Sequence, residues 1–190
     1  SKRFKQDIIC ELSSAIAFIS TKQGDPFASY IANESLQLCT KKSKRVFNVN
    51  FMSEQLYNYN VLGKSINYTH ITKELFKTIN HKSIIFLIGD FFDIESLDLK
   101  LLATKHEVIA LVIRDKFEEE PLELGNVNFN DPSSNINYEG LLNKSTINEY
   151  IKKIKVNDKK LFKHFQDCAI RFTKVYTHEE PIKKLIGLLK

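Results

Sequence analysis

The sequence is poor in the residues on which small stapled proteins and fibrous proteins rely. Its 190 residues include no tryptophan, one methionine, three cysteines, four prolines and six glycines. So few glycines and prolines exclude a collagen-like chain or an extended linker. Because Cys10, Cys39 and Cys168 are odd in number and far apart, they exclude a CxxC metal knuckle and predict reduced, mostly buried thiols.

Long apolar segments are also missing. The apolar runs at residues 84–88 and 108–113 have five and six residues, far short of the roughly 18 residues that a membrane-spanning helix needs. The first residues lack the basic, apolar and small-residue layout of a signal peptide. These features predict a soluble, cytoplasmic protein, and no membrane partner is expected for this segment.

Common catalytic and nucleotide-binding motifs are absent from the sequence. It contains no GxGxxG, GxxxxGK[ST], HExxH or GxSxG string. The five histidines lack metal-ligand spacing and are predicted to be surface or loop residues: His70, His81, His106, His164 and His178. No nucleophile, base and orienting group stand in a visible set, so we expect that the chain is not an enzyme.

The charged residues are segregated along the chain. Residues 61–143 carry 8 basic and 13 acidic side chains, whereas residues 144–190 carry 12 and 5. A basic end can attract nucleic acid or an acidic protein face. No stacking aromatics are interleaved with its lysines, which favours a solvated helix surface and leaves nucleic-acid binding as an alternative. A second basic cluster comprises Lys41, Lys42, Lys44 and Arg45.

The hydrophobic pattern alternates between helical and strand periods, which predicts an α/β fold with a mostly parallel sheet. Continuous apolar runs predict buried strands, and alternating segments with polar turns predict an antiparallel edge pair. The expected strands are 84–88, 108–113 and 171–176, with the edge pair at 27–32 and 36–40. The expected helices are 3–22, one that follows Thr69, 94–104, 146–168 and one that follows Glu180.

Between these elements the sequence predicts irregular segments and helix caps. Residues 41–68 are expected to be irregular, with a weak helix at 51–59, and residues 116–143 to form a long loop with a short hairpin. A capping box from Thr146 to Glu149 is expected to begin the longest helix, which could break near Asn157. Thr177 and Glu180 are expected to cap the last helix. The chain reads as one domain over residues 1–190.

Several segments resemble a known family. Residues 83–91 resemble the fourth strand of a von Willebrand factor A-like domain, which ends in an acidic residue. Residues 106–110, then Arg114-Asp115, Glu118, Pro121, Leu124 and Gly125, resemble a signature of the bacterial family called domain of unknown function 58; residues 177–181 with Leu185 resemble its ending. The resemblance covers nearly the whole chain and implies a doubly wound, von Willebrand factor A-like or Rossmann-like fold.

The resemblance also implies a metal-ion-dependent adhesion site, in which hard oxygen ligands hold Mg²⁺. Thr69 matches the second ligand loop and Asp90 the third, with Gly89 where the family commonly has serine. The first ligand loop, DxSxS, is absent, so the site is incomplete, and Mg²⁺ is expected only in a complete protein. As an alternative, Thr69 is the N-cap of a helix that begins at His70, and Asp90 caps a helix near Asp93.

The absent DxSxS loop bears on the sheet as well. In the family the loop follows the central first strand, so we expect an N-terminally truncated domain that lacks this strand. An altered sheet, a swapped strand or a homo-oligomer is the expected consequence.

By resemblance, the expected function is that of a non-catalytic protein-interaction module. The implied partner is a MoxR-type AAA ATPase, which the module assists in the assembly or maturation of other proteins. The partner surface is expected at the carboxyl edge of the sheet, around Thr69, Asp90 and Asp115. Two alternatives stay open: a Rossmann-like enzyme whose nucleotide loop lies upstream, and nucleic-acid binding through the basic C-terminal helix.

Overall fold

The computed structural model describes residues 3–60, 64–92, 94–121, 125–130, 137–142 and 144–190. The helices in these residues are α1 Lys5–Gln23, α2 Val46–Tyr57, α3 Tyr68–Thr78, α4 Lys100–Lys105, α5 Lys116–Glu119, α6 Lys144–Asp167 and α7 Pro181–Leu189. The strands are β1 Phe27–Ala32, β2 Leu36–Ser43, β3 Ile84–Gly89, β4 Glu107–Arg114, β5 Gly125–Asn130, β6 Asn137–Leu142 and β7 Arg171–Tyr176.

A parallel sheet of three strands, in the order β3-β4-β7, forms the centre of the fold. Ile84 pairs with Glu107, and Ile109 pairs with Arg171. The middle strand β4 is buried from Val108 to Arg114, as its continuous apolar run predicts for a strand that is covered on both faces. The mixed α/β class and the three predicted parallel strands are therefore confirmed.

Helices cover both faces of this sheet. On one face, Val108, Ala110 and Val112 of β4 pack with side chains from α3, α4 and α6. On the other face, Leu111, Ile113 and Val175 pack with side chains from α1 and α7. Residues 108–113 of β4 thus meet an apolar layer on either face of the sheet, which explains why this strand shows no polar alternation.

Two antiparallel hairpins accompany the parallel sheet. β1 pairs with β2, and β5 pairs with β6, which confirms both predicted pairs. The first pair forms a two-stranded sheet of its own in the described residues, and not the edge of the parallel sheet. Within the loop predicted over 116–143, residues 122–124, 131–136 and 143 lie outside the described residues.

Three helices differ from the sequence prediction. α2 begins at Val46, ahead of the predicted 51–59, because Val49 and Met52 pack on Ala17 and Phe27. α4 covers only Lys100–Lys105 of the predicted 94–104. The short helix α5 lies where a loop was predicted, since Asp115 caps it.

The longest helix, α6, also begins earlier than predicted. It starts at Lys144, so Thr146 lies in its first turn and the predicted capping box is wrong. The helix continues through Asn157, whose side chain donates to the Phe92 carbonyl over 2.7 Å. Tyr150 of this helix is 42% exposed.

Two histidines are placed differently from the prediction. His164 lies within α6, is half-buried, and accepts from the Leu99 N–H over 3.1 Å. His106 ends α4 and is buried, not at the surface, and neither ring nitrogen finds a hydrogen-bond partner in the described part of the chain. Burial, with a smaller contribution from the Lys105 charge, lowers the pKa of His106. The ring therefore belongs to the core in its neutral form.

The outer edge of β3 lies beside no other described strand. Among these residues only β4 pairs with β3, while Phe86 and Ile88 pack on one face of β3 and Ile85 and Leu87 on the other. An apolar strand edge with free backbone groups is a template for another strand.

We expect this edge to pair between copies of the chain. The wild-type protein should form dimers as its concentration rises, and Ile84→Lys, at a side chain that is 57% exposed, should keep it monomeric because an edge lysine opposes strand pairing. Size-exclusion chromatography with light scattering measures both. Ile186→Lys, at an exposed position of α7, is the control and should still dimerise; a wild-type monomer at all concentrations contradicts the prediction.

Candidate functional site at the carboxyl edge of the sheet

The carboxyl ends of the parallel strands bring polar residues together. Asp90 follows β3, Asp115 follows β4 and Thr177 follows β7. In open α/β sheets this edge is the usual place for a binding site. Two of the three residues predicted for the partner surface, Asp90 and Asp115, lie here.

Arg114, the last residue of β4, is the centre of this edge. Its side chain is 1% exposed, and its Nη2 donates to Asp158 of α6 over 2.9 Å. Nη1 donates to the Asp90 carbonyl, and Nε lies 3.5 Å from a carboxylate oxygen of Glu119. A buried guanidinium needs such partners, so Arg114 links the end of β3 to α5 and α6.

The backbone after β3 is shaped to reach this guanidinium. Phe91 has a φ of 51°, in the left-handed region that a bulky residue rarely adopts. Its ring is buried and stacks against Tyr68 with centroids 6.1 Å apart, and packing of this kind can hold a strained conformation. The next ring, Phe92, lies with its centroid 3.7 Å from Arg114 Cζ, a cation–π contact.

Lys174 of β7 joins the same cluster. Its ammonium donates to Asp158 over 2.6 Å and to Glu119 over 2.7 Å, and the Tyr176 hydroxyl donates to Glu119 over 2.7 Å. Burial disfavours the ammonium, but the two carboxylates outweigh it, and the pKa of Lys174 is raised. Asp158 and Glu119 together therefore neutralise Arg114 and Lys174.

Lys5, near the start of α1, connects Asp90 to the rest of the edge. Its ammonium donates to Asp90 over 3.0 Å and to Glu118 over 2.6 Å. Burial of the ammonium is again outweighed, by the charges of Asp90 and Glu118, and the pKa of Lys5 is raised. The carboxylates of Asp90, after β3, and of Glu118, in α5, thus share one internal cation.

Asp115 is the N-cap of α5. Its side chain accepts from the Phe117 N–H over 2.8 Å, and its own N–H donates to Glu118 over 3.0 Å, which forms a capping box. The Thr177 hydroxyl donates to Asp115 over 2.5 Å and lowers the pKa of Asp115. Thr177 thus contacts Asp115 and does not cap α7, whose N-cap is Glu180.

Thr69 makes none of these contacts, although the ring of its neighbour Tyr68 stacks on Phe91 at the same edge. The N-cap of α3 is Asn67, whose side chain accepts from the His70 N–H over 3.0 Å, so the alternative that Thr69 is the N-cap is wrong. Thr69 lies in the first turn and donates its hydroxyl to the Ser96 carbonyl over 3.0 Å.

Three acidic side chains, those of Asp90, Glu118 and Glu119, have roles that differ from the ones expected. Asp90 accepts from Lys5, and α4 begins only at Lys100, while Asp93 lies outside the described residues. Glu118 and Glu119 fall within the loop predicted over 116–143, but they belong to α5 and are half-buried in the cluster.

The fit of this edge to Mg²⁺ can be judged from its donors. Mg²⁺ takes oxygen ligands in near-octahedral geometry, yet Asp90 faces the Lys5 ammonium and the described residues contain no group of three or more histidine, cysteine or acidic side chains placed to hold a metal. As arranged, these residues do not fit Mg²⁺, because Lys5 already supplies the positive charge. The assignment of Thr69 and Asp90 as metal ligands stays a prediction.

Sequence reasoning missed the cations and the helical acid of this cluster. The three missed residues come from separate elements: Lys5 from α1, Lys174 from β7 and Asp158 from α6. No pattern of neighbouring residues in the sequence indicates that they form ion pairs. Arg114 carried a usable signal, since a charged residue directly ends a fully apolar strand. Asp158 carried another, because it stands alone among lysines on a helix.

The cluster leaves a negative balance at the edge. Five carboxylates, of Asp90, Asp115, Glu118, Glu119 and Asp158, face three cations, of Lys5, Arg114 and Lys174. The most exposed of the paired groups is Asp90, at 44% of its side chain, whereas Arg114 is at 1%. The edge can therefore bind a basic surface through groups that are already held in place.

The chain also matches a family model. The model is described as "Protein of unknown function DUF58", and it matches residues 1–160. The match includes α1, the hairpin β1–β2 and the edge residues Asp90, Arg114, Asp115 and Asp158. No curated protein matches the chain.

Two solved structures are similar to the chain. The conserved hypothetical protein BatB from Bacteroides thetaiotaomicron has 13% identity and a TM-score of 0.53, with 95% of this chain and 86% of that chain covered. At this identity the likeness concerns the fold alone. An uncharacterized membrane spanning protein from Vibrio fischeri has 11% identity and a TM-score of 0.25, with 95% and 83% covered. In the described part of this chain no helix has the length and apolarity to cross a bilayer.

We expect the buried ion cluster to be essential for stability. Asp158→Ala should lower the free energy of unfolding by about 3–5 kcal/mol, because it leaves Arg114 as a buried charge with its main partner removed. Urea unfolding measures the change. Asp167→Ala, at an exposed acid of the same helix, should change stability by no more than about 0.5 kcal/mol, and equal losses in the two variants would contradict the assigned role.

We also expect Mg²⁺ to leave the stability of this chain unchanged. A ligand that binds only the folded state raises the melting temperature. Lys5 already forms ion pairs with Asp90 and Glu118, so these carboxylates are not free to bind Mg²⁺. Thermal unfolding with and without about 5 mM MgCl₂ tests this. Lys5→Met should introduce a response, while Lys116→Met, which removes an exposed cation paired with Glu120, should not. A magnesium-dependent rise for the wild-type chain contradicts the prediction.

Proposed function

The chain belongs to the family of proteins of unknown function DUF58, and we propose that it is a non-catalytic module that binds a partner protein at the carboxyl edge of its parallel sheet. The observation that carries this proposal is the ion cluster of that edge. It fixes acidic side chains from separate elements in one arrangement and leaves Asp90 partly exposed. A surface held in this way binds with little loss of side-chain entropy.

The state of the polar groups supports binding over catalysis. A catalytic acid, base or nucleophile has to be free to reach a substrate. At this edge the carboxylate of Asp115 accepts from Thr177 and from a backbone N–H, and the carboxylates of Glu119 and Asp158 each accept from Lys174. Groups engaged in this way stabilise a surface and are poorly placed to transfer protons.

The chemistry of the edge selects a partner with a basic face. The edge carries more carboxylates than cations, and electrostatic complementarity speeds association and suppresses wrong partners. The family resemblance points to a MoxR-type AAA ATPase as this partner, with a role in the assembly or maturation of other proteins. Because Lys5 provides the internal cation, the docking needs no metal ion in this proposal.

The test is capture of the ATPase from the cell that makes the protein. The chain serves as bait in lysate, once with Mg²⁺ and once with chelator, and captured proteins are identified by mass spectrometry. Thr69→Ala with Asp90→Ala should weaken capture of the ATPase by about threefold or more, since it removes a charge and a hydroxyl from the expected surface. Equal capture with Mg²⁺ and with chelator is expected.

The control is Thr104→Ala with Asp167→Ala. Thr104 also donates its hydroxyl to a backbone carbonyl, and Asp167 is an exposed acid, so this pair removes the same groups away from the edge and should leave capture unchanged. Absence of an AAA ATPase under both conditions would overturn the partnership. Undiminished capture by the Thr69 and Asp90 variant would remove these residues from the interface.

A further inference from the structure

A second surface combines exposed cations with exposed apolar side chains. It lies where β2 ends and α2 begins, and we name it the basic–aromatic patch. Its members are Lys41, Lys42, Lys44, Arg45, Val46, Phe47 and Phe51. Nothing in the carboxyl-edge cluster involves these residues.

The apolar part of the patch is on the outer side of α2. Phe47 is 75% exposed and Phe51 44% exposed, and their spacing of four residues places them on one face of the helix. Val49 and Met52, between and beside them, are buried against Ala17 of α1. One face of α2 therefore packs in the core, and another face presents phenylalanine rings to solvent.

The basic part of the patch carries uncompensated charge. All four cations are exposed, and none of them forms a salt bridge with a described residue, whereas Lys5, Lys174 and Lys183 all do. The acidic residue on α2 is Glu54. Residues 41–57 thus have a net charge of +3 around two exposed rings.

We propose that the basic–aromatic patch binds the surface of an anionic lipid bilayer. The four cations face the headgroups, and Phe47 and Phe51 enter the boundary between headgroups and acyl chains. Exposed rings beside clustered lysine and arginine are the chemistry of interfacial helices. The sequence-based expectation of no membrane partner rested on the absence of a long apolar run, but adsorption to a surface needs only one apolar face.

The basic–aromatic patch and the carboxyl edge share no residue, so one chain carries both surfaces. The Gln6 side chain, next to Lys5, donates to the carbonyls of Leu56 and Tyr57 over 2.8 and 2.9 Å. The end of α2 is therefore near the carboxyl edge and its start is away from it. Twelve helical residues span about 18 Å, which is the separation along α2 between its basic start and the end that contacts Gln6.

The experiment is sedimentation with vesicles. The full 190-residue chain is mixed with vesicles of phosphatidylcholine alone, or with roughly one third phosphatidylglycerol. It should bind the anionic vesicles, and binding should fall as salt rises. Phe47→Ala with Phe51→Ala, and separately alanine at the four cations, should each reduce binding about tenfold or more. All these side chains are exposed, and far-UV circular dichroism should show an intact fold.

Two matched controls test whether binding depends on this patch in particular or on exposed cations and exposed rings anywhere on the protein. Alanine at Lys152, Lys153, Lys155 and Lys159 removes four exposed cations of α6, and Phe117→Ala with Tyr150→Ala removes two exposed rings; both should leave binding unchanged. Equal binding to neutral vesicles, no binding to anionic vesicles, or an equal loss in the α6 control would each overturn the proposal. So would a labelled oligonucleotide that binds through the patch when vesicles do not, which would assign the patch to nucleic acid.

Discussion

The buried guanidinium of Arg114 constrains much of the fold around it. A charge at the end of the central strand, with 1% of its side chain exposed, has to be neutralised and hydrogen-bonded within the protein. Its partners come from separate parts of the chain: the Asp90 carbonyl after β3, Asp158 of α6 and the ring of Phe92. The positions of these segments are therefore coupled, and the strained backbone at Phe91 is explained as a turn that serves this contact.

The surroundings of Arg114 determine which charges reach the surface. Asp158 bridges Arg114 and Lys174 inside the cluster, so the deepest cations are neutralised there. Lys5 joins Asp90 to Glu118 nearer the solvent. What remains outside is a partly exposed carboxylate on a rigid support. Charge of this kind is better suited to recognition than to stability, since solvent weakens an exposed ion pair but not the geometry that presents it.

The parts of the fold that could be predicted are those in which apolar residues recur regularly along a helix or follow one another in a strand. β4 and α6 bury several residues in regular spacing, and β3 and β7 add apolar residues to the same clusters, so the pattern identified them. The start of α2 was missed because its buried residues are only Val49 and Met52 and no capping side chain marks it. The capping motif at Thr146 predicted the wrong start for α6. Such a motif depends only on neighbouring residues, and the helix already begins at Lys144. Asp90 and Asp115 were predictable as residues that follow buried strands, but the contact of Lys5 with Asp90, 85 residues apart, depends on the folded topology alone.

The long sequence separation within the cluster has a consequence for synthesis on the ribosome. Asp158 lies 44 residues after Arg114, and at about 5–20 residues per second it is added some 2–9 s later. During that interval β4 has neither its ion-pair partner nor β7 beside it. The hairpin of β1 and β2 with α1 and α2 can form earlier, from contacts that are close in sequence. Vectorial synthesis therefore completes the carboxyl edge last, and a nascent chain that stalls before Asp158 presents to chaperones an apolar strand whose second edge lacks its partner.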